Sequence, residues 1–168
     1  MKKLVLVSLL TAAHVLAAGT CVYSFSGLEN AGASDIAVPL VLEEGHGGFT
    51  YEGFATSDGS DLRVADSNGT VLPHEIDVWD PTGRSIVWVR VPTLSSSTEL
   101  TLSWGDVNAA SASGQVWPSA EVVMHFTGDE PRDSSPAART VSNCTEAQSS
   151  IDGPVGAARR FFGSPKSA

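Results

Sequence analysis

Residues 61–91 read DLRVADSNGTVLPHEIDVWDPTGRSIVWVRV, and this stretch constrains the fold more than any other. Two turn signals divide it into three alternating segments. Ser67-Asn68-Gly69 suits a three-residue hairpin loop with Gly69 in the left-handed position. Asp80-Pro81-Thr82-Gly83 suits a four-residue loop with Pro81 second in a type I turn. The first loop sets Val64 opposite Leu72 and Leu62 opposite His74. The second sets Trp79 opposite Arg84, Asp77 opposite Ile86 and Glu75 opposite Trp88. The two registers agree. One face carries Leu62, Val64, Leu72, His74, Ile76, Val78, Val87, Val89 and Val91. The other carries Asp61, Arg63, Glu75, Asp77, Trp79, Arg84, Ile86, Trp88 and Arg90. A slip of one residue would mix the two sets, so the pattern commits this stretch to consecutive antiparallel hairpins.

The rest of the chain supplies more short β-like segments, at 22–25, 35–42, 49–54 and 99–104. Pro39 has no N–H to give a ladder and demotes its segment to an edge or a bulge. Turns recur about every ten residues, and no helical periodicity is present before residue 117. The expected fold is all-β, an antiparallel, jelly-roll-like β-sandwich over residues 18–118, followed by an irregular tail over 119–168. The apolar residues of that tail are few and spread out. It is expected to be the weakest part of the chain, mobile over 129–152 unless Cys144 is tied to Cys21, with 122–126 at most an edge strand.

The first 17 residues have the layout of a secretory signal peptide. Lys2 and Lys3 form a positive start, residues 4–13 an apolar run, and Ala17, Ala18 and Gly19 a small-residue cleavage region. The run is too short to span a bilayer, and no later segment could. The expected location is extracytoplasmic: periplasm, cell surface or medium. The chain has a net charge of −9, more negative still once Lys2 and Lys3 leave with the leader. This excludes nucleic acid as a partner, because phosphate binding needs a basic patch. It also excludes electrostatic binding to anionic lipid. Cys21 and Cys144 are the only cysteines; export permits a disulfide between them, and their spacing fits no zinc motif.

The acids of the central stretch have a plain explanation. Asp66 and Asp80 are turn residues whose side chains bond nearby backbone N–H groups. Asp61, Glu75 and Asp77 share a face with Arg63, Arg84 and Arg90, where cross-strand pairs contribute about 0.2–1 kcal/mol each. Three chemistries compete with that reading. Asp58, Asp61 and Asp66 could bring oxygens to one edge for calcium, although D-S-N-G is only a fragment of a calcium loop and lacks its distal glutamate. No other cofactor is suggested. Trp79 and Trp88, with Glu75, Asp77 and Arg90 beside them, could form a sugar platform unless a second sheet or the N-terminal segment covers the rings. Glu75 and Asp77 could also serve as a glycosidase pair. However, nothing in the sequence raises one pKa of the two, there is no G-x-S-x-G turn, and His46, His74 and His125 are scattered. His74 and His125 read as core histidines. No catalytic residue is assigned, and a non-enzymatic module is expected.

The pieces DLRVADSNGTVLPHEIDVWD, SIVWVRVP and LTLSWGD, in that order and spacing, resemble an exported bacterial and archaeal domain of unknown function. That domain occurs as a module of large cell-surface proteins and in proteins fused to biopolymer-transport-type proton-channel subunits. The resemblance covers about residues 22–117, with W-G-D standing where the family usually has Y-G-N. It implies no catalytic residues. It implies an interaction or structural role whose partner is an envelope protein or a polysaccharide. EVVMHFTGDEPRDSSP and IDGPVGAARRFFG resemble the opening of a laminin-G-like, concanavalin-like jelly roll, so the tail is expected to be a truncated or vestigial start of one.

Overall fold

The computed structural model describes residues 19–27, 32–111, 114–127, 131–140, 151–153 and 157–158. The leader at 1–17 and Cys144 lie outside the described residues. Among the described residues ten strands follow one another: β1 (Gly19–Ser24), β2 (Ala33–Glu43), β3 (Arg63–Ala65), β4 (His74–Val78), β5 (Arg84–Leu94), β6 (Glu99–Trp104), β7 (Met124–His125), β8 (Arg132–Asp133), β9 (Ile151–Asp152) and β10 (Ala157–Ala158). A short 3-10 turn spans His46–Gly48. Every pairing is antiparallel, in sheets ordered β1-β6-β3, β2-β5-β4, β7-β8 and β10-β9. The chain is all-β, consistent with a β-sandwich. Among the described residues no helix is long and apolar enough to cross a membrane.

The inner faces of the two larger sheets meet in one core. Leu100, Leu102, Trp104 and Val64 come from one sheet, and Val38, Leu40, Leu42, Val87, Val89 and Val91 from the other. Each fully buried side chain of this kind stabilises by about 1.5–3 kcal/mol. Pro39 stands in the outer strand β2 opposite Trp88, as a residue without an N–H must. The Tyr23 hydroxyl donates to Val41 O at 3.0 Å, tying β1 to the outer strand of the other sheet. Together they blunt an edge of 11 residues that would otherwise invite pairing.

The 67–69 loop forms as expected. Gly69 has φ +79° and donates to Asp66 O at 2.9 Å. Leu72 N donates to Val64 O at 2.7 Å, and Ala65 bridges Val71, so the first register holds. Its two arms nevertheless belong to different sheets, because β3 pairs with β6 and β4 with β5. This stretch is a corner between the layers rather than a long hairpin.

The second register holds through His74–Val89, Glu75–Trp88 and Ile76–Val87, then breaks. Val78, not Asp77, faces Ile86, so a β-bulge lies between Ile76 and Val78. One extra residue turns every later side chain of β4 over. Trp79 therefore faces inward. Its ring meets Tyr51 at 5.3 Å and Phe54 at 4.9 Å, edge to face. Gly59, at φ +74°, lies under the same ring, where a Cβ would come within 2.6 Å of it.

Residues 49–54 form a loop instead of a strand. Positive-φ glycines at 45, 47, 48 and 53 bend the backbone around them. Phe49, Tyr51 and Phe54 fill the end of the core with Trp79 and Trp104.

Candidate functional site

The outward face of β4 and β5 is where ionisable and aromatic side chains of the central stretch converge. Glu75 lies beside Trp88 in the ladder, and Asp77 stands at the bulge, a position that re-aims a side chain. Neither carboxylate is solvated: the side chains are 19% and 10% exposed. The segment after residue 114 lies across them. Trp117 Nε1 donates to Glu75 Oε2 at 3.2 Å, and its ring tilts against Trp88 at 5.2 Å. Trp88 Nε1 donates to Asp77 Oδ2 at 3.3 Å, and Thr127 Oγ1 to Asp77 Oδ1 at 2.6 Å. Arg132 Nη1 lies 2.6 Å from Glu75 Oε1, which also accepts from the Ser134 hydroxyl.

His125 is the centre of this cover. It is 5% exposed, with Nδ1 3.1 Å from Asp77 Oδ1. Nε2 is 3.4 Å from Glu75 Oε1, an ion-pair distance without hydrogen-bond alignment. In an open cleft, an imidazole between two carboxylates could move protons. Here both ring nitrogens face protein carboxylates, and Nε2 is shut from solvent. What the arrangement does physically is clamp one element onto another.

The cover owes its shape to Asp133. This carboxylate accepts from Val123 N at 2.9 Å, Ser135 N at 3.0 Å, Ser135 Oγ at 2.9 Å and Arg139 N at 3.0 Å. The backbone donors, led by Val123, hold its pKa well below the usual carboxylate range. β7 and β8 are thereby folded as a hairpin of their own. The expectation of an edge strand at 122–126 on the main sheet is corrected: Met124 and His125 pair with Asp133 and Arg132. Within the expected mobile stretch, residues 131–140 are placed around the Asp133 carboxylate. The remainder of 129–152 lies largely outside the described residues.

Burial works to raise the Asp77 pKa, but hydrogen bonds from His125 and Thr127 more than offset it, leaving it lowered to about 2. A carboxylate depressed on folding stabilises the native state above its unfolded pKa. That stability is lost as pH falls through the folded value. With an ordinary value of 3.8, the contribution is intact above about pH 4 and is lost between there and about pH 2, amounting to about 2 kcal/mol. Urea midpoints measured down the pH scale should fall below pH ~4 in the wild type. Asp77→Asn should be weaker at neutral pH and show a flatter decline. Equal slopes for the two proteins would refute the assignment.

The other sequence-derived site residues do not join this face as expected. Trp79 points into the core, so the pairing of Trp79 with Trp88 as a sugar platform is corrected; Trp88 is instead packed against Trp117. Glu75 and Asp77 are partly buried partners of the 117–135 segment, not a solvated strand face. Arg90 lies apart, forked onto Asp35 at 2.5 and 2.9 Å. Asp61 and Arg63 are buried rather than exposed. Asp61 accepts from Ala55 N, Thr56 and Gly105 N, Asp58 from Ser60 N, and Asp66 from Asn68 N and Thr70 N. The calcium cluster of Asp58, Asp61 and Asp66 is thus not assembled. Among the described residues no three His, Cys, Asp or Glu side chains are grouped to hold a metal. Asp66 and Asp80 do act as turn residues, Asp80 accepting from Thr82 N at 2.9 Å. Cys21 is a buried free thiol, its pKa pushed up to about 11 by burial.

Nothing in the sequence singles out Trp117, Thr127, Arg132, Asp133 or Ser134, and His125 reads there only as a core histidine. One signal was available: a strand face bearing Ile86 and Trp88 among its acids is too apolar to be left to water, and Ile86 is 3% exposed.

Residues 58–135 match a family described as Domain of unknown function (DUF2341). The match continues past residue 118 to the end of the covering segment, so the stretch similar to that family includes both sides of the Glu75–Asp77–His125 clamp. No curated protein and no solved structure matches the chain.

Proposed function

We propose that this chain is an exported, non-enzymatic module of the cell envelope or cell surface, which acts as an interaction or structural unit toward envelope protein or polysaccharide. The observation that carries this reading is how the most reactive-looking residues are used. Glu75, Asp77, Trp88 and His125 are engaged with one another and with residues 117–134. Asp61 and Asp133 organise loops. A chain whose ionisable groups hold its own fold presents a rigid body to partners rather than a reaction centre. Export is supported by the leader layout and by the acidic composition.

The test is to fractionate the producing cell and sequence the N-terminus of the recovered chain. It should be found in the envelope or outside the cell, beginning near Ala18 or Gly19. Recovery from the cytosol with Met1 retained would overturn the reading.

A further inference from the structure

An open pocket of about 150 Å3 lies at the corner where the chain passes from β3 to β4, lined by Ser60, Arg63, Pro73, His74, Ser111 and Gly114. It is separate from the clamp. Arg63 is 8% exposed, and among the described residues no carboxylate pairs with it. Its guanidinium donates to the carbonyls of Ala109, Ala110, Ser60 and Leu62 at 2.7–3.2 Å. Buried arginines are ordinarily paired with an acid. Here only carbonyl dipoles balance the charge, and Nη2 keeps one N–H beyond its bond to Ala109 O.

His74 has the same deficit. Its Nδ1 lies 3.1 Å from Leu72 O and its Nε2 3.1 Å from Leu62 O. A carbonyl can only accept, and a neutral imidazole has one N–H. Both contacts are hydrogen bonds only in the imidazolium; in the neutral ring a lone pair faces an oxygen. Yet burial, and the positive charge of Arg63 on β3, hold the His74 pKa below its ordinary value. The corner is shaped for a second cation that its surroundings disfavour. What it lacks is negative charge.

We propose that this pocket binds a single small oxyanion, a carboxylate, sulfate or phosphate group, beside Arg63 and His74, with the hydroxyls of Ser60 and Ser111 as further donors. The volume suits one such group and not a polymer backbone. The anion pairs the guanidinium and favours the imidazolium, so anion and proton each tighten the binding of the other. The site does not depend on the proposed function of the whole chain.

The test follows the ring resonances of His74 by NMR while sulfate or acetate replaces chloride at fixed ionic strength. A glucuronate arm shows whether the group is accepted on a sugar acid or only as a free ion. The expected result is a saturable shift at His74, with affinity about tenfold tighter near pH 5 than near pH 7.5. Ser111→Asp, an exposed position, tethers a carboxylate at the pocket. It should abolish the response to added anion, raise the pH at which His74 titrates and leave the fold intact. Shifts no larger than the chloride control in the wild type would overturn the proposal. So would a Ser111→Asp protein that responds to sulfate as the wild type does.

Discussion

Asp61→Ala is expected to destabilise the chain by about 3–5 kcal/mol, a large share of the roughly 5–15 kcal/mol that a domain has. Asp61 is 1% exposed. Its Oδ2 accepts from Ala55 N at 2.8 Å and Gly105 N at 2.7 Å; its Oδ1 accepts from Thr56 Oγ1 at 2.5 Å and Thr56 N at 3.2 Å. Burial opposes ionisation here, but the hydrogen bonds from Thr56, Ala55 and Gly105 outweigh it, so the carboxyl lies below its usual range. One side chain thus fastens the aromatic loop ahead of it to the end of β6. Alanine would leave three backbone N–H groups without their acceptor, and each left buried costs about 1–3 kcal/mol. Loop residues that can reach water would reduce the sum. Asn is the informative control: it keeps the shape and one acceptor, but turns an NH2 toward a donor. It should fall between wild type and Ala in urea midpoint. A change under about 1 kcal/mol for Asp61→Ala would mean that the loop holds itself.

That prediction also marks where the sequence was legible and where it was not. Alternation and turn chemistry are local, and they located the core residues Leu62, Val64, Leu72, Val87, Val89 and Val91. They also placed the 67–69 loop and the edge position of Pro39. Two features defeated them. A bulge at Asp77 adds one residue without any Gly or Pro to announce it, and that single step carries Trp79 from the outer face to the core. Then there is long-range cover. Whether Glu75 meets water or meets Arg132 and Ser134 depends on a segment more than 40 residues away, which no strand period reports. Asp61 failed for a related reason. Its place next to a strand suggested an alternating outward position, while its partners come from a loop before it and a strand end after it. The polar site was legible as a set of residue types and not as an arrangement, because buried carboxylates and solvated ones use the same letters.

Trp104→Ala should be as damaging, at about 3–5 kcal/mol, for apolar rather than polar reasons. Trp104 ends β6 with 1% of its surface exposed. Its ring stacks on Phe54 at 5.3 Å with an interplanar angle of 6° and meets Phe49 at 5.3 Å. Its Nε1 donates to Glu52 O at 2.9 Å, so the ring also fixes the loop that carries those phenylalanines. Gly19, paired with it across β1, leaves room for the indole where any Cβ would collide. Removing the indole therefore opens a large cavity and frees the loop at once. Because the aromatic rings share contacts, the loss should not be additive: Trp104→Ala combined with Phe54→Ala should cost clearly less than the two single changes together. Trp104→Phe keeps part of the stacking and loses the hydrogen bond, and should cost less than Ala. Urea denaturation of the four variants and the wild type measures all of these terms. Strict additivity, or a Trp104→Ala protein as stable as wild type, would show that the aromatic cluster is not one packing unit.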